Sequence, residues 1–420
     1  MKKFLFSLIC LFVFGTSLFG WDVYSGADDA TKAVLAKVDT LIAEEQYQSA
    51  FSAANGEDCQ EEYLLAKRIE IATNYFAQSI MHQMFAFKNL EEGQTLYDVR
   101  TGTGDYSLMM FDPAVSAGSY MAAHGEKPVL YYALGAYYAD VRGRYGDQWL
   151  ISVEELYEKE AENFRKAYDG GVYDAFSLSE LATSYFYLYD TNSAEEIYKK
   201  KASEYELNPN DNYNYALILW LSGRSAEGLP YMEKSIEGYA DIPEYQCDAY
   251  IIAARMCLST QNYDRAEQLL IECKQKYPDD YRITQYGITL YALLNQNDKA
   301  IESSFEMFAI APTNPAACQL IMQEAQSAEN MEFLPGFFDQ ALVLYAENSG
   351  ALENLYFHYA YTLLLMDRNE EAWDMVRKAR EVFTQNGTLT QEIDDTLDQI
   401  QYQIMLNAGI PPDAIKNMME

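Results

Sequence analysis

A small residue returns at nearly fixed spacing through the C-terminal two thirds of this 420-residue chain: Ala194, Gly228, Ala266, Ala300, Leu334 in the same place, and Ala372. The steps are 34, 38, 34, 34 and 38 residues. Self-similarity at that period marks helix pairs that cannot bury their own apolar faces and must stack on their neighbours. Function is therefore to be sought along a surface.

Within one period the local pattern is helical. In QNYDRAEQLLIECKQKYP, residues 261 to 278, apolar residues recur at three and four and a proline closes the run. The stretch NQNDKAIESSFEMFAIAP repeats that course to Pro312. The repeat from Ala175 supplies Leu178, Leu181, Ala182 and Tyr185, then Ala194 and Tyr198; the next supplies Ala216, Gly228, Met232 and Ser235. The repeat from Cys247 carries Tyr250, Ala254, Ala266, Leu270, Cys273 and Pro278, and the one from Tyr281 carries Tyr291, Ala300 and Pro312. A degenerate unit from Pro315 holds Met322 and Leu334 where small residues belong, and the unit from Glu353 recovers with Tyr356, Ala360, Ala372, Val376 and Ala379.

Over about residues 128 to 385 this pattern resembles the tetratricopeptide repeat, of the exported bacterial type. The resemblance implies an all-α, right-handed superhelical solenoid of helix-turn-helix repeats, six to seven of them over residues 128–387. Residues 388–420 read as a capping helix and tail. Residues 1–20, MKKFLFSLICLFVFGTSLFG, pair two lysines with a short apolar run and small residues, as an export signal does. That places the mature protein in the periplasm or cell envelope, without a membrane span. Residues 21–127 read as a helical region. Within it, 91–125 breaks the helical period: TLYDVR and DYSLMMF alternate around TGTG as a small β-hairpin insertion would. The insertion is either a functional module, with Arg100, Asp105 and Tyr106 as its candidate residues, or a packing flap over the first helices.

Little in the chain points to catalysis. The histidines His82, His124 and His358 form no HExxH and have no CxxC partner, so no metal is assigned. The TGTGD segment lacks the third glycine of a dinucleotide fingerprint, and no cofactor is assigned. His82 and His358 lie in stretches read as helical, as satisfied or half-buried histidines. Past the leader, Cys59, Cys247, Cys257, Cys273 and Cys318 are too few and odd in number for a disulfide framework. They read as buried core thiols, although Cys257 and Cys273 fall on facing helices and could meet. With 30 basic against 64 acidic residues, the net charge of −34 disfavours nucleic acid as a partner. Aromatic richness, 36 Tyr and 20 Phe, fits a core.

In tetratricopeptide arrays the inner surface is lined by fixed positions of the first helix of each pair. Carried over residue by residue, the resemblance implies a groove of Asn210, Tyr213, Leu217, Trp220, Arg255, Arg282, Gln285, Gln319, Gln323, Phe357 and Tyr361. Aromatics, amides and two arginines suit a protein or peptide segment. The positions that grip a terminal carboxylate in some members hold Ser179, Thr183, Asp248 and Ile252 here, and Asn214 alone agrees. The expectation is a non-catalytic scaffold or adaptor, with an envelope-assembly or transporter component, or an N-terminal small-molecule module, as alternatives. Oligomeric state is left open.

Overall fold

The structure, a computed structural model, describes residues 23–104 and 106–419. The expected export signal and Asp105 lie outside the described residues. The chain forms two compact units, Met1–Ile218 and Leu219–Glu420.

The first unit opens with α1 (Asp29–Ala43), α2 (Tyr47–Ala53) and α3 (Glu61–Asn74), then β1 (Gln78–Ile80), β2 (Met84–Ala86), α4 (Leu96–Thr101) and β3 (Met109–Met110). It continues through α5 (Pro113–His124), α6 (Pro128–Tyr145), a 3-10 turn at Gly146–Gln148, α7 (Val153–Asp169), α8 (Ala175–Tyr187) and α9 (Thr191–Glu204). Helix α10 (Pro209–Leu221) carries the chain over the boundary. The second unit contains α11 (Ser225–Gly238), α12 (Pro243–Ser259), α13 (Tyr263–Lys276), α14 (Tyr281–Leu293), α15 (Asn297–Ile310) and α16 (Pro315–Ser327). It ends with α17 (Leu334–Leu344), α18 (Ser349–Leu365), α19 (Asn369–Asn386), α20 (Gln391–Asn407) and α21 (Pro412–Met419).

Each small residue of the repeat is buried, and each follows the same turn. Tyr189, Gly223, Gln261, Asn295, Glu329 and Asp367 all have positive φ, and each stands five residues before its small residue. The next backbone N–H returns to a carbonyl near the end of the preceding helix: Asn262 to Cys257 at 2.9 Å, Gln296 to Tyr291 at 2.8 Å, Arg368 to Leu363 at 2.9 Å. This six-to-one bond satisfies an orphan carbonyl and reverses the chain in the least number of residues. The turn between α1 and α2 is built identically, with Glu45 left-handed, Gln46 N–H bonded to Leu41 O at 2.8 Å, and buried Ala50 five residues on. Residues 28 to 54 thus form one more hairpin of the repeat type.

Close approach at the small residues packs α8 on α9, α12 on α13, α14 on α15 and α18 on α19. The degenerate unit departs from this. Buried Leu334 and Met322 fill the place where two backbones would meet, and α17 packs on α15 and α18 rather than closely on α16. Its Phe333, Phe337 and Phe338 are buried in a cluster reaching from Ile288 to Ile404. Aromatic bulk replaces backbone proximity there.

The β insertion exists, but upstream of its expected place. TLYDVR is not a strand: Thr95 and Asp98 form a reciprocal capping box that starts α4. Of the described part of DYSLMMF, Met109 and Met110 pair as β3 on β2. The hairpin itself is β1–β2, registered Gln78 to Ala86 and Ile80 to Met84, in a stretch whose histidine was read as helical. Its tip residues, Met81 and His82, have φ of 48° and 51°. His82 is buried among Phe76, Phe85, Tyr137 and Tyr145. Its Nε2 lies 2.8 Å from Asp140 Oδ2, and its Nδ1 lies 2.8 Å from Ser79 Oγ and 3.0 Å from Tyr145 OH. Trp149 Nε1 donates to Met81 O at 3.1 Å. The segment between α6 and α7 therefore helps hold the hairpin tip.

Candidate partner-binding surface

The expected groove residues fall on α10, α12, α14, α16 and α18, the first helices of successive pairs. Asn210, Tyr213 and Leu217 belong to the first unit; Asn210 is exposed, Leu217 half-buried, and Tyr213 buried with its ring in the core. Trp220, Arg255, Arg282, Gln285, Gln319, Gln323, Phe357 and Tyr361 belong to the second unit.

There the structure brings Trp220 and Arg255 together and adds Tyr286. The Arg255 guanidinium carbon stands 4.7 Å from the Trp220 ring centre and 5.1 Å from that of Tyr286. The planar cation bridges three helices by cation–π attraction, strongest over tryptophan. Burial raises the Tyr286 phenol above its ordinary value, against the opposing charge of Arg255, so the ring stays neutral. Among the described residues, Arg255 is the arginine that forms no hydrogen bond or ion pair with another residue.

Arg282 is placed differently from its expected role. It donates to Asp280 Oδ2 at 2.8 Å through Nη2 and to Asp248 Oδ1 at 2.6 Å through Nη1, so α12, α14 and the turn before α14 share one ionic cluster. Hydrogen bonding to Asp280 raises its pKa further, and Asp280, despite its burial, is held below the ordinary carboxylate range by Arg282. Gln285 Nε2 donates to Glu324 Oε1 at 2.6 Å, and Thr289 Oγ1 donates to the other oxygen. Arg282 and Gln285 are thus engaged in holding neighbouring repeats together. Asp280 and Glu324, absent from the expected lining, supply these bonds. The helix positions carried over from the repeat do not include them.

The remaining groove residues divide again. Phe357 is half-buried against Phe383 and the core. Gln319, Gln323 and Tyr361 are exposed, Tyr361 by 43%. Of the expected groove in the second unit, Gln319, Gln323 and Tyr361 are accordingly exposed, while Trp220 and Arg255, with Tyr286 against Arg255, are half-buried.

At the alternative site, Arg100 is fully employed. Its Nε donates to Phe76 O at 3.0 Å and its Nη2 to Asn74 O at 2.9 Å, closing the C-terminal end of α3, while its plane lies 4.1 Å over Phe76. Burial and, secondarily, Arg144 lower its pKa to about 10. Tyr106 packs beside Tyr47, Ala77, Leu90 and Val99. Both side chains are engaged in packing within the first unit.

Nor do Cys257 and Cys273 meet. In an antiparallel helix pair the beginning of α12 lies beside the end of α13, so Cys247 faces Cys273, with sulfurs 3.8 Å apart. Cys257 is ten residues, or roughly 15 Å, further along α12. His358 is buried, with Nδ1 2.8 Å from Asn354 O, and burial lowers its pKa. Among the described residues there is no group of His, Cys, Asp or Glu able to hold a metal, and no helix long and apolar enough to cross a membrane.

No protein-family model matches the sequence, and no curated protein matches it. Solved structures do resemble the fold. YrrB, described as a TPR protein with an unusual peptide-binding site, is 14% identical, with 50% of this chain and 98% of that one covered at a TM-score of 0.40. A tetratricopeptide repeat protein from Parabacteroides merdae is 14% identical over 66% and 98% of the two chains, TM-score 0.40. The apo form of RapI is 13% identical over 86% and 100%, TM-score 0.38. With a left-handed turn and a buried small residue recurring together in one helix pair after another, the chain has the fold of a tetratricopeptide-repeat protein.

Proposed function

We propose that this chain is a non-catalytic interaction scaffold whose second unit holds a protein or peptide segment against α12, α14, α16 and α18. The observation that carries the reading is Arg255. An arginine packed against two aromatic rings, with its donors not taken by another residue, has little conformational entropy left to lose and several hydrogen bonds to give. Arginine and tryptophan together are the residue types that dominate measured interface energies. Gln319 and Gln323 present amides of the kind that pair with a peptide backbone. Export to the periplasm or envelope is part of the same proposal, on the strength of residues 1–20. So is the exclusion of nucleic acid, on the strength of the net charge of −34.

The test is site-specific photocrosslinking in cells of the source organism from Gln323, with exposed Lys234 on α11 as the control position. One protein should be trapped from Gln323 and not from Lys234, and Arg255→Met should weaken its binding by ~30-fold, the size of a hot spot near 2 kcal/mol. Methionine keeps the apolar stem between the rings, so circular dichroism should be unchanged. Equal trapping from both positions, or an Arg255→Met variant that binds as the parent does, overturns the assignment.

A further inference from the structure

We propose that Cys247 and Cys273 are a covalent modification site, a dithiol that takes a small-molecule or protein disulfide as co-reactant and closes to an intramolecular bridge between α12 and α13.

The two sulfurs are already in van der Waals contact at 3.8 Å, and a disulfide requires about 2.05 Å. The remaining distance is within reach of side-chain rotation on two helices that already pack together. The repeat pattern does not demand this pair. Cys273 sits where the repeat needs a small residue, a need that Ala379 meets in the unit from Glu353, while Cys247 is matched there by Glu353 itself. In the unit from Tyr281 the same two places hold Tyr281 and Met307. Two thiols in one repeat at positions that carry unrelated residues elsewhere mark a local feature of this helix pair.

The two are not equivalent. Cys273 is fully covered, and its neighbour Cys247 together with burial pushes its thiol well up. Cys247 is 5% exposed, its S–H donates to Asp280 Oδ2 at 3.3 Å, and Arg282 Nη2 lies 3.9 Å from its sulfur. Cys247 is therefore the thiol that meets the reagent. Its thiolate attacks one sulfur of the external disulfide RSSR, forming a mixed disulfide and releasing RS⁻. The Cys273 thiolate then attacks the Cys247 sulfur, the protein S–S bond forms, and the second RS⁻ leaves. Two protons pass from the protein thiols to the two RS⁻ through solvent, so the protein dithiol is oxidised by two electrons and one RSSR becomes two RSH.

Bridging has a readable consequence beyond the bond. Asp280 loses its S–H donor and keeps Arg282, at the edge of the same ionic cluster that joins α12 to α14. The bridge also fixes α12 to α13 across a 26-residue span, which removes conformational freedom from the unfolded chain.

The full chain, equilibrated in a series of oxidised-to-reduced glutathione ratios, quenched by alkylation and digested, tests this directly. The expected result is one linked peptide pair joining Cys247 to Cys273, with Cys257 and Cys318 alkylated only after denaturation. The oxidised form should melt several degrees above the reduced form, and Cys273→Ala should abolish the link and that difference, whereas Cys257→Ala should keep both. Alanine occupies the corresponding place in the unit from Glu353, so the Cys273→Ala variant retains the repeat. A persistent glutathione adduct on Cys247 with Cys273 still free, or both thiols free at the most oxidising ratio, overturns the proposal.

Discussion

Glu180 shows what one largely covered side chain can impose on the first unit. Arg142 donates through Nε to Glu160 Oε2 at 2.8 Å and through Nη2 to Glu180 Oε2 at 2.7 Å, so one buried cation serves two carboxylates on α7 and α8. One positive charge cannot fully neutralise both, and burial, then the charge of Glu160, raises the Glu180 carboxyl to about 8. The sign follows from linkage. In the unfolded chain Glu180 ionises near its ordinary 4.5, while in the folded chain it keeps its proton until about 8. Between those values the folded state binds more protons, so this group's contribution to stability is full below about 4.5 and is lost as pH rises through about 8. Glu180→Gln holds the neutral shape at every pH. Its melting temperature should match the parent near pH 4.5 and exceed it progressively up to pH 9 in differential scanning calorimetry. A difference that stays constant across that range would rule out a protonated Glu180.

Helix pairs are the scale at which the sequence was most readable, because period and burial select the same residues. The small residues at Ala194, Ala266, Ala300 and Ala372 all lie in the core, where their size sets how closely two helices approach. The turns before them were not readable. Of the six left-handed residues in these turns Gly223 is the glycine, while Tyr189, Gln261, Asn295, Glu329 and Asp367 adopt positive φ because the helix pair requires it. The β1–β2 tip has the same cause: Met81 and His82 carry no turn signal, and tertiary bonds to Asp140, Tyr145 and Trp149 hold them. Of the groove residues, the helices that carry them were legible and their side-chain partners were not. Arg282 and Gln285 lie where expected, yet whether they are free depends on Asp280 and Glu324, which only the packed structure places beside them. Two glycines measure helix packing directly. A Cβ at Gly135 on α6 would come within 2.8 Å of three Phe164 ring atoms on α7, whereas at Gly118 on α5 nothing lies within 4 Å. Gly135→Ala should therefore destabilise by about 2 kcal/mol, as overpacking does. Gly118→Ala should stabilise by roughly 0.5–1 kcal/mol through helix propensity. Denaturant titration reads both, and a Gly135→Ala variant as stable as the parent or more so would show that α6 and α7 are not in contact at Gly135.

For the whole molecule, the question set by a stacked array is what closes its last apolar face, since every inner helix pair is covered by a neighbour and the terminal one is not. In the second unit α20 does this. Leu397, Ile400 and Ile404 are buried in the same cluster as Val376, Ala379 and Phe383 of α19, while the other side of α20 exposes Glu392, Asp395 and Gln403. Arg380 fastens the cover from beneath through Asp398 at 2.6 Å. The net charge of −34 sets copies of the chain to repel one another, but that repulsion is screened beyond about 8 Å at physiological salt and cannot protect a bare apolar face at contact distance. A chain ending at Leu389 should thus keep its helices, melt well below the parent and self-associate at micromolar concentration, as read by light scattering. The full-length variant Leu397→Ala, which opens a cavity under an intact cover, should lose about 3 kcal/mol and remain unassociated. If the shortened chain proved as stable and as dispersed as the parent, α20 would be an appendage, and the face of α19 beneath it would have to be covered in some other way.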